Sequence, residues 1–400
     1  MMRPFLELID FEEAKKIIME KTEPMEKREK IDILSAIGRV ISEDVISDIN
    51  IPGFARAAVD GYAVIAEDTY GANQREPREL KVIGKIFAGD TSKIRINRGE
   101  CIQIATGGAI PDGADAVVMV EHTSLDDDTV RIMKPVYPGE NVSSEDEDIA
   151  KGGVVLREGD VLNPAKIGVL AALGINSIDV YALPKVAVIP TGDELVPIGG
   201  KLEYGKIYDI NSYTLASLLQ GSADVHINEI IEDSEDKIKE CIKSLKDMDY
   251  IIFSGGSSVG ERDILIDIIE EEGEVFFHGI ALKPGKPTIF GKIRNTLIFG
   301  MPGYPTSCLT NAYTLLLPSV KKKARMPYIE KKKEVILAEK IVSTIGRHQI
   351  YTVEVEDGKA YPVFKESGAI TSMSEASGYI EIPANVEYLP AGSKILVKYF

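Results

Sequence analysis

From Lys185 to Val320 the sequence alternates short apolar runs with segments of helical spacing. "KVAVIP" reads as a strand and "SYTLASLLQG" as a short helix closed by Gly221. "VHINEII" reads as a strand and "SEDKIKECIKSLK" as a helix. In that helix Ser234 is placed to cap. Glu235 and Asp236 suit the positive end, and Ile238, Ile242 and Leu245 form the apolar stripe. "YIIFS", "DILIDIIEEEG", "NTLIFGMPG" and "SCLTNAYTLLLPSV" continue as strand, helix, strand and helix. Strands that alternate with helices build a mostly parallel sheet under helical cover. Ligands of such sheets bind beyond the carboxyl ends of the strands.

Three of these strand ends have an unusual composition. They are Thr191-Gly192-Asp193-Glu194, then Gly255-Gly256-Ser257-Ser258-Val259-Gly260-Glu261-Arg262-Asp263, then Pro302-Gly303-Tyr304-Pro305-Thr306-Ser307. Glycines let consecutive N–H groups turn inward around an oxyanion. Ser257 and Ser258 add hydroxyl donors, while Ser307 and Asp263 stand near helix starts, where N–H groups are unpaired. Ordinary capped strand-to-helix turns are the alternative, and three of them at one sheet edge favour a pocket. Neither a Walker loop nor a dinucleotide fingerprint is present. "LKPGKP" sets Lys283 and Lys286 around a Pro-Gly turn, aimed at phosphate charge or, alternatively, simply solvated.

Asp193, Glu194, Asp209, Asp233 and Asp263 fall at or near element ends. Hard oxygen donors beside phosphates suit Mg²⁺. There is no His-x-x-x-His pair and no metal-binding cysteine pair. His122, His226, His278 and His348 are scattered, and no Gly-x-Ser-x-Gly elbow appears.

The remaining text is of other kinds. "FEEAKKIIMEK" groups Ala14, Ile17 and Ile18, with Phe11 behind them, as a helix. "KREKIDILSAIGRVISED" has partly helical spacing at Ile33, Leu34, Ile37 and Ile41, interrupted by Gly38. From Ile51 to Asn141 the pattern is strand and turn, with a hairpin over Asp126 to Asp128. Within it Asp60 precedes Gly61 and Thr106 precedes two glycines. Each is a polar group in apolar surroundings, or a plain turn. "PAKIGVLAALG" is a helix capped by Asn163, opened by Pro164 and ended by Gly174. After Lys323 the text is all-β, with a hairpin turning at Asp357-Gly358. The expected division is 1–50 plus 142–180 as a helical, linking domain and 51–141 as an inserted β-rich domain. An α/β domain at 181–325 and a C-terminal β domain at 326–400 complete it.

The formal net charge is -17, which speaks against a grip on nucleic acid, because such proteins show a basic face. The short runs "VKKKAR" and "EKKKE" read as a solvated linker. No apolar run approaches the length that spans a bilayer, and the acidic N-terminus is unlike a signal peptide. Cys101, Cys241 and Cys308 are widely spaced, which fits a reducing cytoplasm.

Six strings, in order, resemble one family: "PGFARAAVDGYAV", "ATGGAIPDGADAVV", "PTGDEL", "SGGSSVGERD", "LKPGKP" and "MPGYPTS". It is the molybdopterin molybdenumtransferase family of molybdenum-cofactor biosynthesis, which includes the gephyrin E domain, and the likeness runs through essentially the whole chain. The resemblance implies a multidomain α/β and β fold. Its central domain resembles molybdopterin adenylyltransferase, and its C-terminal domain is a small β-barrel.

The resemblance also implies Mg²⁺-dependent insertion of molybdenum, from molybdate, into adenylylated molybdopterin with release of AMP. It implies a cytoplasmic homodimer with composite active sites, and molybdopterin adenylyltransferase as a candidate partner. The residues it implies for catalysis are Asp60, Thr106, Glu194, Asp233 and Asp263, with Glu194, Asp233 and Asp263 as Mg²⁺ ligands. For substrate it implies Lys283, Lys286, Pro302 and Pro305, to which the loop composition adds Gly255, Gly256, Ser257, Ser258 and Ser307. Two departures stand out: Ile210 replaces the family's usual Ser, and Tyr304 its usual Asn. The alternatives are a tungsten-inserting paralogue, a molybdopterin adenylyltransferase, and a non-enzymatic scaffold of the same fold.

Overall fold

The apolar runs after Lys185 have no polar alternation because both faces of their sheet are covered. In the computed structural model, which describes residues 8–90, 94–255, 264–363 and 368–400, they lie in one six-stranded sheet. Its order is Asp224–Ile227, Lys185–Pro190, Tyr250–Ser254, Thr296–Met301, Ile289–Ile293, Glu274–His278. The first four strands are parallel, as expected. Successive side chains point to opposite faces. Val186, Val188, Tyr250, Ile252 and Phe299 pack with Leu215, Leu219, Leu316 and Val320 on one side. Ala187, Ile189, Ile251, Phe253 and Ile298 pack with Ile238, Ile242, Leu265 and Ile269 on the other.

The last two strands correct the sequence reading, which did not identify them. Ile289–Ile293 and Glu274–His278 add to the sheet antiparallel to their neighbours. The hairpin between Ile293 and Thr296 turns on Arg294, at φ 55°, and Asn295. No glycine marks that turn, so the usual signal was missing.

Phe11–Lys21 is helical, with the Asp10 carboxylate accepting from Glu12 N at 2.8 Å, and Phe11, Ala14 and Ile18 buried. "KREKIDILSAIGRVISED" is not a helix. It forms a strand at Arg28–Asp32 and one 3-10 turn at Ile33–Ala36. Asp32 Oδ1 accepts from Leu34 N at 2.8 Å, starting a turn that stops before Gly38 at φ 76°. Leu34, read as apolar stripe, is 80% exposed. Ser234 precedes the helix Glu235–Ser244 but makes no side-chain cap bond. Its backbone carbonyl, instead, accepts from Ile238 N at 3.0 Å.

The last helix of the α/β region is not uniform. It runs as Pro305–Asn311, then a π-helical stretch at Ala312–Leu316, then Leu317–Lys323. Pro318 has no N–H for the carbonyl four residues back, and its ring crowds that carbonyl, so the preceding turn widens.

The C-terminal strands close into a barrel. Gly378–Ile382 pairs with both Lys394–Tyr399 and His348–Glu356, so the ring has no free edge. The expected hairpin is present, with Asp357 at φ 48° and Gly358 at φ 75°.

The chain divides into two units. One comprises Met1–Glu29, Gly38–Val40 and Tyr181–Phe400, and the other Lys30–Ile37 and Ile41–Val180. The second holds a six-stranded sheet that includes Gly61–Val64, Glu100–Ile104 and Ala116–Met119. The Thr123–Asp126 and Thr129–Ile132 hairpin turns at Asp127, as expected. The helix Pro164–Ala172 is capped by Asn163 Oδ1, which accepts from Lys166 N at 2.9 Å. Among the described residues no helix is long and apolar enough to cross a membrane.

Candidate functional site

Parallel pairing in register brings the three unusual strand ends to one edge of the sheet. Pro190 lies opposite Ser254, and Ser254 opposite Met301. The loops beyond them touch. Thr191 N donates to Ser254 O at 3.1 Å, and Gly255 N to Met301 O at 3.4 Å. Gly255 has φ 104°, and a Cβ there would sit 2.2 Å from Thr191 O. A Cβ on Gly303 would sit 3.7 Å from the Gly255 Cα. At position 255 only glycine permits this approach of backbones. Gly256, Ser257, Ser258 and Asp263 lie outside the described residues.

The polar groups under these loops are short of partners. The Thr191 and Ser254 hydroxyls, Asn211 Oδ1 and the Ser212 hydroxyl are buried with no hydrogen-bond partner among the described residues. Asn211 Nδ2 donates to Gly303 O at 2.9 Å, which sets this amide beside the third loop. Buried polar groups without partners are costly, so these four atoms are available to further hydrogen-bonding groups at this edge. Asp209, 4% exposed, accepts from Ser212 N at 3.1 Å.

Beside the first loop lies an open cleft of about 600 Å³ lined by Gly192, Asp193, Lys206, Glu232, Asp233 and Ser234. The Lys206 ammonium donates to the Asp193 carbonyl oxygen. Parallel pairing of Leu195–Val196 with Ile207–Tyr208 returns Lys206 to that loop. Lys206 and Glu232 were not singled out from sequence, because neither stands in a motif. Glu194 is exposed, and its carboxylate folds back over Gly192, where a Cβ would lie 2.7 Å from Oε2.

The lysine turn is held at both ends. Leu282–Lys283 pairs with His348 and Gln349 of the barrel. Lys283 Nζ donates to Thr344 Oγ1 at 2.8 Å, and both Lys283 and Lys286 are half-buried. Pro302 is buried, and Pro305 opens its helix. Ser307 is 4% exposed, whereas Tyr304 is 65% exposed.

In the second unit Asp60 and Thr106 meet. Asp60 Oδ1 accepts from Thr106 N at 2.7 Å and from Thr106 Oγ1 at 3.0 Å. The backbone bond first, and the hydroxyl second, hold the Asp60 carboxyl below the usual carboxylate range. Thr106→Val removes only the second bond. Its expected result is a partial upward move of the Asp60 titration, read by carboxyl-carbon NMR. An unmoved titration would mean that the hydroxyl bond is not formed.

None of the three cysteines is tuned as a nucleophile. Burial pushes Cys101 up to about 12 and also raises Cys241 and Cys308. Among the described residues no group of three or more His, Cys, Asp or Glu is placed to enclose a metal ion.

Three family models match the chain in succession. The MoeA N-terminal region (domains I and II) matches residues 9–174, the probable molybdopterin binding domain 187–322, and the MoeA C-terminal region (domain IV) 334–400. A protein of Methanocaldococcus jannaschii named for molybdopterin biosynthesis is 38% identical, over 97% of each chain. The molybdopterin molybdenumtransferase of Haemophilus influenzae is 37% identical, over 79% of this chain and 78% of its own. A crystal structure of the molybdopterin biosynthesis MoeA protein from Pyrococcus horikoshii matches with TM-score 0.86 at 38% identity, covering 98% of this chain and 99% of that one. With relatives this similar along nearly its full length, and with the α/β sheet, its loop-lined edge and the closing barrel in place, this chain belongs to the MoeA family of molybdopterin molybdenumtransferases.

Proposed function

We propose that this protein is a molybdopterin molybdenumtransferase. It takes adenylylated molybdopterin, inserts molybdenum from molybdate into the dithiolene and releases AMP. The observation that carries this reading is the junction of three strand-end loops over the Thr191, Ser254 and Ser212 hydroxyls and Asn211 Oδ1, which have no partner among the described residues, in a chain whose relatives include a molybdopterin molybdenumtransferase. Sulfur ligands for the metal come with the pterin, so the chain needs no cysteine cluster. Its own task is to hold a phosphoanhydride and an oxyanion close together.

In this reading Lys283 and Lys286 neutralise phosphate oxygens, and Gly255, Gly256, Ser257, Ser258 and Ser307 supply donors. Pro302 and Pro305 shape the third loop. Glu194, Asp233 and Asp263 are the proposed Mg²⁺ ligands. Of these three, Asp233 lines the cleft, beside Asp193 and Glu232. Mg²⁺ uses one or two carboxylates and completes its shell with water and phosphate, and Asp193, Glu232 and Asp233 put such oxygens on the cleft. When bound, Mg²⁺ would polarise the anhydride.

In the same reading the chain has four parts, 1–50 with 142–180, 51–141, 181–325 and 326–400, forms a homodimer with composite sites in the cytoplasm, and has molybdopterin adenylyltransferase as its partner. The shared-site reading has a direct test. Asp60→Asn and Glu194→Gln chains, each nearly inactive, are unfolded, mixed equally and refolded. Half of random dimers are mixed and half of their sites carry neither change, so activity should return to about a quarter of the parent's. A mixture as dead as its parts, with exchange confirmed by mass, rules out sharing.

The activity itself is tested by incubation with adenylylated molybdopterin, Mg²⁺, and molybdate or tungstate in turn. AMP release with metal incorporation is expected. Its absence with both oxyanions overturns the reading, and the better oxyanion identifies the metal. Replacing Lys283 or Lys286 with Ala should weaken ligand binding by about 1.5–3 kcal/mol, with a smaller loss at high salt. Equal affinity by calorimetry returns both lysines to a solvated surface turn.

A further inference from the structure

The Lys283–Lys286 turn is fixed from below by a residue that no motif contains. Asn311 ends the helix Pro305–Asn311, where the chain passes into the π-helical stretch, and it is 0% exposed. Its Nδ2 donates to Gly285 O at 2.9 Å and to Thr288 Oγ1 at 2.6 Å. The Thr288 hydroxyl donates in turn to Gly285 O, at 2.9 Å. A carbonyl only accepts, so the amide nitrogen must face it, and both N–H groups of the amide are used. Oδ1 has no partner among the described residues, so the whole grip runs through the NH₂ group. Gly285 has φ 108°, and a Cβ there would lie 2.2 Å from Asn311 Oδ1. The amide is therefore pressed directly against the turn. The adjoining Lys286 carbonyl accepts from Ile280 N at 2.9 Å and Thr288 N at 3.0 Å.

We propose that Asn311 is a positioning residue for the two lysines. By fixing the Gly285 carbonyl it fixes the backbone from which both side chains start, so less freedom is lost when they close on an anion. The inference rests on the reading that Lys283 and Lys286 meet phosphate oxygens.

The test uses the full chain and ADP as a phosphoanhydride probe, titrated by calorimetry. Lys283→Ala and Lys286→Ala establish the role of the turn. Asn311→Leu keeps the volume but loses both donors, and should lower ADP affinity roughly ten-fold with the fold retained by circular dichroism. Asn311→Asp supplies a signature that a purely structural role would not move. At about pH 8 its carboxylate faces the Gly285 carbonyl, and ADP affinity should fall as in Asn311→Leu. Burial raises such a carboxyl, so by about pH 5.5 it should hold a proton and donate again. Its affinity relative to the parent at the same pH should then recover several-fold. Weakened lysine variants, beside Asn311 variants that bind like the parent at every pH, would overturn the positioning role alone. No ADP binding by the parent, or parent-like binding by both lysine variants, would overturn the phosphate reading of the turn and this inference with it.

Discussion

Glu194→Gln should lower AMP release about 10²-fold or more at saturating Mg²⁺. The residue follows the strand Lys185–Pro190 by a few positions, next to two residues that line the cleft. It is exposed, so the exchange of one oxygen for an NH₂ group costs the fold little. What it removes is a negative oxygen donor beside the place proposed for the anhydride. Single-turnover AMP release with an unchanged thermal transition is the expected pair of measurements. Turnover near the parent's would move the role to another acid of the same edge.

Gly255→Ala should be among the most damaging single-methyl changes in the chain. Two effects add at this position. The backbone is at φ 104°, where a side chain is strained, and the new Cβ would stand 2.2 Å from the Thr191 carbonyl oxygen. Both partners are backbone at the ends of central strands, so neither yields easily. A cost of about 3 kcal/mol and loss of ligand binding are expected. Gly392→Ala is the control. It has φ 83° and nothing within 4 Å of its Cβ, so it carries the conformational strain without the collision. Its cost should stay near about 1 kcal/mol. Denaturant midpoints of the two variants measure the difference. Equal midpoints would mean that the loops separate freely and do not form a rigid edge.

Local patterns were legible wherever a residue's neighbours in sequence are also its neighbours in space. Helix Pro164–Ala172 has its cap, its proline and its terminal glycine in consecutive text, and all three act as read. The Asp357-Gly358 turn and the runs of Lys185–Pro190, Tyr250–Ser254 and Thr296–Met301 were legible for the same reason. Parallel strands also imply where a pocket lies, because their loops share an edge. Where local signals conflicted, the reading failed. The apolar spacing around Ile33 and Leu34 looked helical, but Asp32 caps only a single 3-10 turn, which stops before Gly38.

Long-range geometry did not show in the text at all. Nothing near Asn311 announces that its amide reaches Gly285, 26 residues earlier, or near Lys206 that it returns to Asp193. The two antiparallel strands and the closure of the barrel through Gly378–Ile382 are of the same kind. Spacing along a chain constrains only neighbours within a turn or a strand. Whether a distant amide, ammonium or strand edge finds its partner depends on how sheets and helices pack once solvent is excluded, and a buried polar group gains most from the partner it meets there.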